Sequence, residues 1–327
     1  MIENQFTIKI LLRIFVIQNK MTLMKKNTIF FLLILCVESL FAQDINTPYS
    51  TAWFGPNANP VPEFTDATIP AKTTITLTGD YYFGHGDHTE NGYAKIEFPL
   101  IAERVSFKVW STILEHYQVT DQVSAERNML NGNTAGIANG DIYFQTRILL
   151  LKENKNTPVF ILNTTLKTAS GTYQQYERYF NTPGYYFDAE IGKSIHTKGS
   201  FINEIRGVVN FGFMCWETEK QSTQDDAPMY GGKIILGNEK WKLENTLSGY
   251  WGWMHTNIRY GSNYGDAPMV YNAKITKLCK NINYFAQYEY GIHDFPYQMV
   301  RLGVSFTMDK ITPKYGSPTL QSSTAGL

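Results

Sequence analysis

Between Gly140 and Thr168 the chain reads GDIYFQTRILLLKENKNTPVFILNTTLKT, two runs in which apolar and polar positions alternate. In the first, Ile142, Phe144, Thr146, Ile148 and Leu150 share one face, and Tyr143, Gln145 and Arg147 the other. In the second, Phe160, Leu162, Thr164 and Leu166 oppose Asn163, Thr165 and Lys167. A period of two is the mark of a strand with two different faces. In a soluble sandwich the apolar face turns inward; in a membrane barrel it turns outward to lipid. The same alternation, with its turn residues, predicts about twelve strands at 72–84, 92–101, 104–117, 140–152, 158–168, 184–196, 200–217, 228–237, 240–255, 268–279, 281–292 and 296–308.

The connections choose between the two faces. Short ones fall at Ala102-Glu103, Glu153–Thr157, Thr197–Gly199, Gly237–Glu239 and Lys280, and longer polar ones at 85–91, 118–139, 169–183, 218–227 and 256–267. Only the hairpin at Asp294-Phe295 departs from that alternation. Short turns at one end and long loops at the other are the habit of outer-membrane barrels, and an even strand count puts both chain ends on the short-turn, periplasmic side. The predicted fold is therefore all-β: an antiparallel transmembrane β-barrel of about twelve strands, spanning 72–308. Its lipid face carries residues such as Ile96, Phe98, Phe107, Phe144, Leu162 and Val304. Its lumen is predicted to be lined by Lys95, Glu97, Lys108, Arg147, Lys167, Asp188, Glu190, Glu204, Arg206, Lys242, Glu244, Lys274, Glu289 and Arg301, which fall mid-strand with both signs in near balance.

The N-terminus supplies the address. From Met24, MKKNTIFFLLILCVESLFAQ has a basic start, an apolar stretch Ile29–Val37 and a small residue, Ala42, before Gln43. That is the layout of a secretory signal peptide and is too short for an ordinary membrane helix. Residues 1–43 are read as that signal, with 1–23 as an over-extended start. Leu33-Ile34-Leu35-Cys36 lacks the small residue that a lipoprotein signal needs before its cysteine. Residues 44–71 carry Pro48, Pro56, Pro60, Pro62 and Pro70, a spacing that forbids a regular helix or strand. They are predicted to be a periplasmic arm or a plug folded into the lumen, and 309–327 a periplasmic tail.

Composition adds two constraints. The 21 Tyr, 20 Phe and 6 Trp suit a barrel with aromatic girdles at both interfaces. A net charge of zero argues against electrostatic binding of nucleic acid. Beyond the signal only Cys215 and Cys279 remain, placed by the strand order near opposite ends and out of disulfide reach.

Across 72–308 the chain thus resembles Gram-negative outer-membrane β-barrels as a class. More locally, the hairpin from Gly140-Asp141 to Gly171 is similar to the transporter barrels of the phenol-degradation meta-pathway. Those share a Gly-Asp-initiated strand, a tight hairpin and a Gly-containing loop, here Lys167-Thr168-Ala169-Ser170-Gly171 without the family's proline. That resemblance implies passage of small solutes. Asp226-Ala227-Pro228-Met229 recurs as Asp266-Ala267-Pro268-Met269, each followed by a Lys-Ile pair whose spacing differs by one residue, as a bulge would make it.

Three further features bear on chemistry. Gly84-His85-Gly86-Asp87-His88 holds three possible metal ligands within four residues but reads as a solvated turn. A lipid hydrolase would need a nucleophile beside a base, yet Thr256 points away from His255 and Asn257, and Ser194-Ile195-His196 lies at the periplasmic end. No cofactor is implied. Twelve strands fall between barrels filled by side chains and those with open channels, and no ring of one charge marks strong selectivity. The expected function is a narrow, weakly selective channel for small solutes. A non-conducting scaffold for surface or secretion machinery, using loop 118–139, is the rival, with an outer-membrane lipid hydrolase third. The expected partners are outer-membrane lipid and small solutes, and the sequence names no protein partner.

Overall fold

A computed structural model describes residues 54–179, 182–199, 201–218, 223–252 and 265–309. The signal segment, most of the tail and the Trp253–Asn257 stretch with His255 lie outside the described residues.

Among the described residues thirteen strands form one antiparallel sheet. They are β1 (Thr73–Gly84), β2 (Asp87–Ile101), β3 (Val105–Val119), β4 (Ala135–Ala138), β5 (Tyr143–Leu151), β6 (Val159–Lys167) and β7 (Gly184–His196). The remainder are β8 (Glu204–Thr218), β9 (Thr223–Gly237), β10 (Trp241–Tyr250), β11 (Met269–Lys277), β12 (Ile282–His293) and β13 (Gln298–Met308). Each strand pairs with its sequence neighbour, and β1 pairs with both β2 and β13, which closes the barrel. β4 stands apart: it is a short flap on the end of β3, so twelve strands make the wall. We call the end that holds the start of β1 and the end of β13 periplasmic, and the other outer, after the usual orientation of such barrels.

Two of the loops expected from sequence are strand instead. The segment 85–91 reduces to the two-residue turn His85-Gly86, with Gly84 opposite Asp87. Both turn residues take positive φ, 50° and 68°, as a tight type I′ hairpin requires. The polar run Asp87–Asn91 misleads because its residues alternate like any strand: Asp87, Thr89 and Asn91 are buried while His88 and Glu90 face out. Likewise 218–227 is largely hairpin, with Thr218 opposite Thr223 and Cys215 opposite Asp226. Strand ends also move inward: the runs expected from 140, from 200 and to 255 begin at Tyr143, begin at Glu204 and end at Tyr250. The outer connections that remain long are 120–142, 168–183 and 251–268.

The two faces sort as a lipid-embedded barrel requires. Outward are Leu77, Leu162, Val209, Ile234, Ile275 and Leu302, all exposed. Phe98, Phe107 and Phe144 run as a ladder across β2, β3 and β5, with centroids 5.6 and 6.2 Å apart. Exposed Tyr81, Tyr185 and Trp251 cluster toward the outer ends of their strands, and Phe201 and Tyr284 toward the periplasmic ends. Leu302, mid-way along β13, is 63% exposed. Leu302→Arg is expected to destabilise the barrel in lipid vesicles by about 2–4 kcal/mol in urea titration. A water-facing site would change by less than about 0.5 kcal/mol.

The duplicated tetrapeptides flank one strand end. The Pro228 carbonyl accepts from Trp251 N at 2.9 Å and the Pro268 carbonyl from Tyr250 N at 3.2 Å. The register shift sits at Met269/Val270, on the second copy.

Candidate functional site: the occupied lumen

Residues 54–72, which contain no strand, run inside the barrel from its outer end to its periplasmic end. Their apolar side chains Phe64, Ala67 and Ile69 cluster with Val159, Ile161 and Val208 of β6 and β8. Prolines make such a segment extended, which leaves its carbonyl groups free of regular partners. The barrel supplies those partners from its inward cations. Lys233 Nζ donates to the Phe64 carbonyl at 2.7 Å, Arg206 Nε to that of Asp66 at 2.7 Å and Arg147 Nη1 to that of Thr68 at 2.8 Å.

Arg147 is the centre of this grip. Its guanidinium, 1% exposed, bonds Glu97 at 2.7 Å, Glu190 at 2.9 Å and the Thr65 hydroxyl at 2.6 Å. Glu190 in turn accepts from Thr65 N and Oγ1 at 2.9 and 2.7 Å. Arg301 joins Asp80 across β1 and β13 and reaches Glu63 of the segment at 2.6 Å. Lys242 lies 3.6 Å from Asp66. Lys274 and Lys233 share Glu244, at 3.4 and 3.6 Å.

The other expected lumen residues are also placed. Asp188 accepts from Asn163 and Asn210, and Lys167 pairs with Asp141 at 2.7 Å. Asp141 also takes Gly171 N at 2.6 Å, so the Gly-Asp hairpin closes on its own loop. Glu289 is buried, and Glu204 accepts from Ser194 Oγ at the periplasmic rim. Arg206 Nη1 also donates to the Ser194 hydroxyl, so that group sits between a carboxylate and a guanidinium. At the same rim Arg206 pairs with Glu153 at 2.7 Å. Burial would raise that carboxyl's pKa, but the Ser194 amide and Arg206 hold it below the ordinary value. Lys95 and Lys108 face the open space described below.

At the outer end lies a network that the sequence did not single out. Loop 120–142 contains a short helix, α1 (Asp121–Glu126), capped by the Thr120 hydroxyl, which places Arg127 over the barrel mouth. Arg127 bonds Asp87 at 2.6 Å and Tyr297 Oη at 2.7 Å, and that hydroxyl donates to the Phe54 carbonyl at 2.6 Å. Arg178, from loop 168–183, bonds Glu115 at 2.6 Å, Asp87 at 2.8 Å and Thr89 at 2.7 Å. Gly55 lies against this guanidinium and donates its amide to the Glu177 carbonyl at 3.0 Å. Burial disfavours charge on Arg178, yet Asp87 and Glu115 hold its pKa above the ordinary value.

The Gly84–His88 stretch shows no metal arrangement. Asp87 is occupied by two arginines, His85 lies 3.4 Å from Glu126 and His88 bonds Tyr81 Oη at 2.9 Å on the outer surface. Among the described residues no cluster of three or more His, Cys, Asp or Glu could hold a metal ion. Cys215 is buried toward the outer end of β8, and Cys279 is exposed at the periplasmic turn after β11.

Space remains beside the threaded segment. A cavity of about 320 Å³ is bordered by Glu63, Asp66, Lys95, Glu97, Lys274 and neighbouring residues. A second, of about 90 Å³, is walled by aromatic side chains, including Tyr82, Trp110, Tyr143 and Trp216, together with charged ones, including Asp141, Glu289 and Arg301. The two meet at Val61, Glu63, Lys95 and Lys108.

No protein-family model matches the chain, and no curated protein matches its sequence. Among solved structures, an outer membrane channel from Pseudomonas putida F1 superposes with a TM-score of 0.53 at 9% identity, covering 76% of this chain and 100% of the other. The transport unit of the autotransporter AIDA-I from Escherichia coli gives 0.44 at 8% identity, over 72% of this chain and 90% of that one. Omp33 from Acinetobacter baumannii gives 0.36 at 9% identity, over 73% and 99%. The first of these carries the comparison: the chain has the fold of an outer-membrane β-barrel.

Proposed function

We propose that this protein is an outer-membrane channel for small solutes whose conducting path is gated by its own segment 54–72. One observation carries the reading: the lumen is polar and holds water-sized space, while the chain that fills it is held by discrete ion pairs and carbonyl contacts to the wall. The segment's two ion pairs reach part-exposed carboxylates, Glu63 and Asp66, and its carbonyl contacts are ones that water could replace. A fully apolar plug would have no such alternative. The lining of the larger cavity mixes both signs, Glu63, Asp66, Glu97 and Glu244 against Lys95, Lys108, Arg147, Lys233 and Lys274, which favours weak ion selectivity. The exposed apolar belt and the girdle of aromatic residues support residence in the outer membrane, reached by way of the signal segment.

The test is single-channel recording of the mature chain, from Gln43, refolded into planar bilayers. Discrete small steps with nearly equal cation and anion permeability are expected. A barrel shown to be folded by heat-modifiable gel migration, yet electrically silent, overturns the channel reading and leaves the scaffold.

A further inference from the structure

The lumen cations are nearly all engaged, with two exceptions. Lys108, on β3, is only 6% exposed, and among the described residues its ammonium group has no hydrogen-bond or ion-pair partner. Its ammonium lies 4.9 Å from the centroid of the Trp110 ring. Lys95, on β2 opposite Trp110, likewise has no ion-pair partner among the described residues. Both face the junction of the two cavities. Glu63, which borders both cavities, is already taken by Arg301. Glu97, directly across the ladder from Lys108, is taken by Arg147 and Ser106.

The wall of the smaller cavity also carries Asp141, paired with Lys167, and Glu289, so what sets the junction apart is its two cations without an ion pair among the described residues. Among the described residues the buried Tyr143 Oη and Trp216 Nε1, in the wall of the smaller cavity, have no hydrogen-bond partner. Buried polar groups are normally satisfied, and a buried ammonium without an anion is expensive. The chemistry that balances this site is an anion that accepts hydrogen bonds on one end. The smaller cavity sets the other end. Part of its wall is aromatic, with Trp110 and Tyr143 stacked at 5.1 Å, and its volume of about 90 Å³ is below the ~150 Å³ that takes a benzene ring.

We propose that the junction binds a short aliphatic monocarboxylate, its carboxylate between Lys95 and Lys108 and its alkyl body in the aromatic recess. The inference rests on the channel reading, because it names the class of solute that pauses in the lumen. Binding itself, however, needs no membrane potential. The two can therefore fail separately: ion current without carboxylate binding overturns only the site, and a silent barrel that binds overturns only the conduction.

The experiment is calorimetric titration of the refolded mature chain in detergent at fixed ionic strength. The probes are butyrate, its neutral counterpart butyramide, benzoate and chloride. Saturable butyrate binding is expected, with butyramide and benzoate each at least tenfold weaker and chloride competing poorly. Lys108→Met and Lys95→Met are each expected to weaken butyrate at least tenfold, while the exposed Lys277→Met leaves it unchanged. Lys108→Arg, which keeps the charge, is expected to retain most of the affinity and guards against a variant that merely misfolds. Equal affinity for butyrate and butyramide overturns the proposal, as does equal competition by chloride, tighter binding of benzoate, or an unchanged constant in folded Lys108→Met.

Discussion

Arg178→Met is expected to loosen the outer end of the barrel by about 3–5 kcal/mol, the cost of breaking a buried ion pair from one side. Arg178 is fully buried and reaches three partners at once: Glu115 through Nε, Asp87 through Nη1 and Thr89 through Nη2. Removing it leaves Glu115 to Tyr179 and Asn57, and leaves Asp87 to Arg127 and the Thr89 hydroxyl. Methionine fills much of the volume but returns no charge. Arg178→Lys is expected to recover little, because one ammonium cannot reproduce a fork that spans two carboxylates and a hydroxyl. The measurement is the midpoint of the heat-induced gel shift, together with protease cleavage within 168–183. A midpoint unmoved by Arg178→Met would mean that the mouth is held by loop 120–142 without it.

Gly231→Leu is expected to raise conductance several-fold. Gly231 sits on the inner face of β9, where an added Cβ would stand 2.3 Å from Cε1 of Phe64. Only glycine leaves room for that ring. A leucine there must push Phe64 off the wall, and with it the segment's carbonyl from Lys233 and the ring from beneath the same ammonium, 4.8 Å away. The cost is overpacking, typically about 1–3 kcal/mol, and it falls on the seating of the segment, because the barrel ladder around Gly231 is intact. Adding Phe64→Ala to Gly231→Leu removes the clash and is expected to bring the current back toward the wild-type step. Unchanged steps in folded Gly231→Leu would show that Phe64 does not lie on the conducting path.

How much of this was legible in the sequence depends on which period carried it. The barrel wall was readable, since Phe144 against Arg147 and Leu162 against Asn163 alternate without interruption and the structure keeps them on opposite faces. The lumen residues fell out of the same rule, but their partners did not. Arg147 bonds Thr65 and Thr68, some eighty positions away in a proline-punctuated segment whose conformation follows no repeat. Lys233 was missed because inward-facing Gly231 and Ile235 flank it, which blurs the polar face of β9. Asp87 was lost to a loop assignment, although Asp87, Thr89 and Asn91 already stood at strand spacing. Arg127 and Arg178 come from loops, where alternation carries no information, and nothing local to either residue points at Asp87.

The gating of the lumen by segment 54–72 is tested most directly by fastening it to the wall and reading the current. An added Cβ at Gly192 would stand 2.9 Å from Cβ of Ala67, about 1 Å inside the span of a disulfide and reachable by a small shift. The variant is Ala67→Cys/Gly192→Cys in a Cys279→Ser background, recorded in one planar bilayer before and after addition of reductant. The account predicts that the oxidised form passes little current and that reduction restores the discrete steps of the wild-type chain. Identical steps in the oxidised and reduced forms would contradict it.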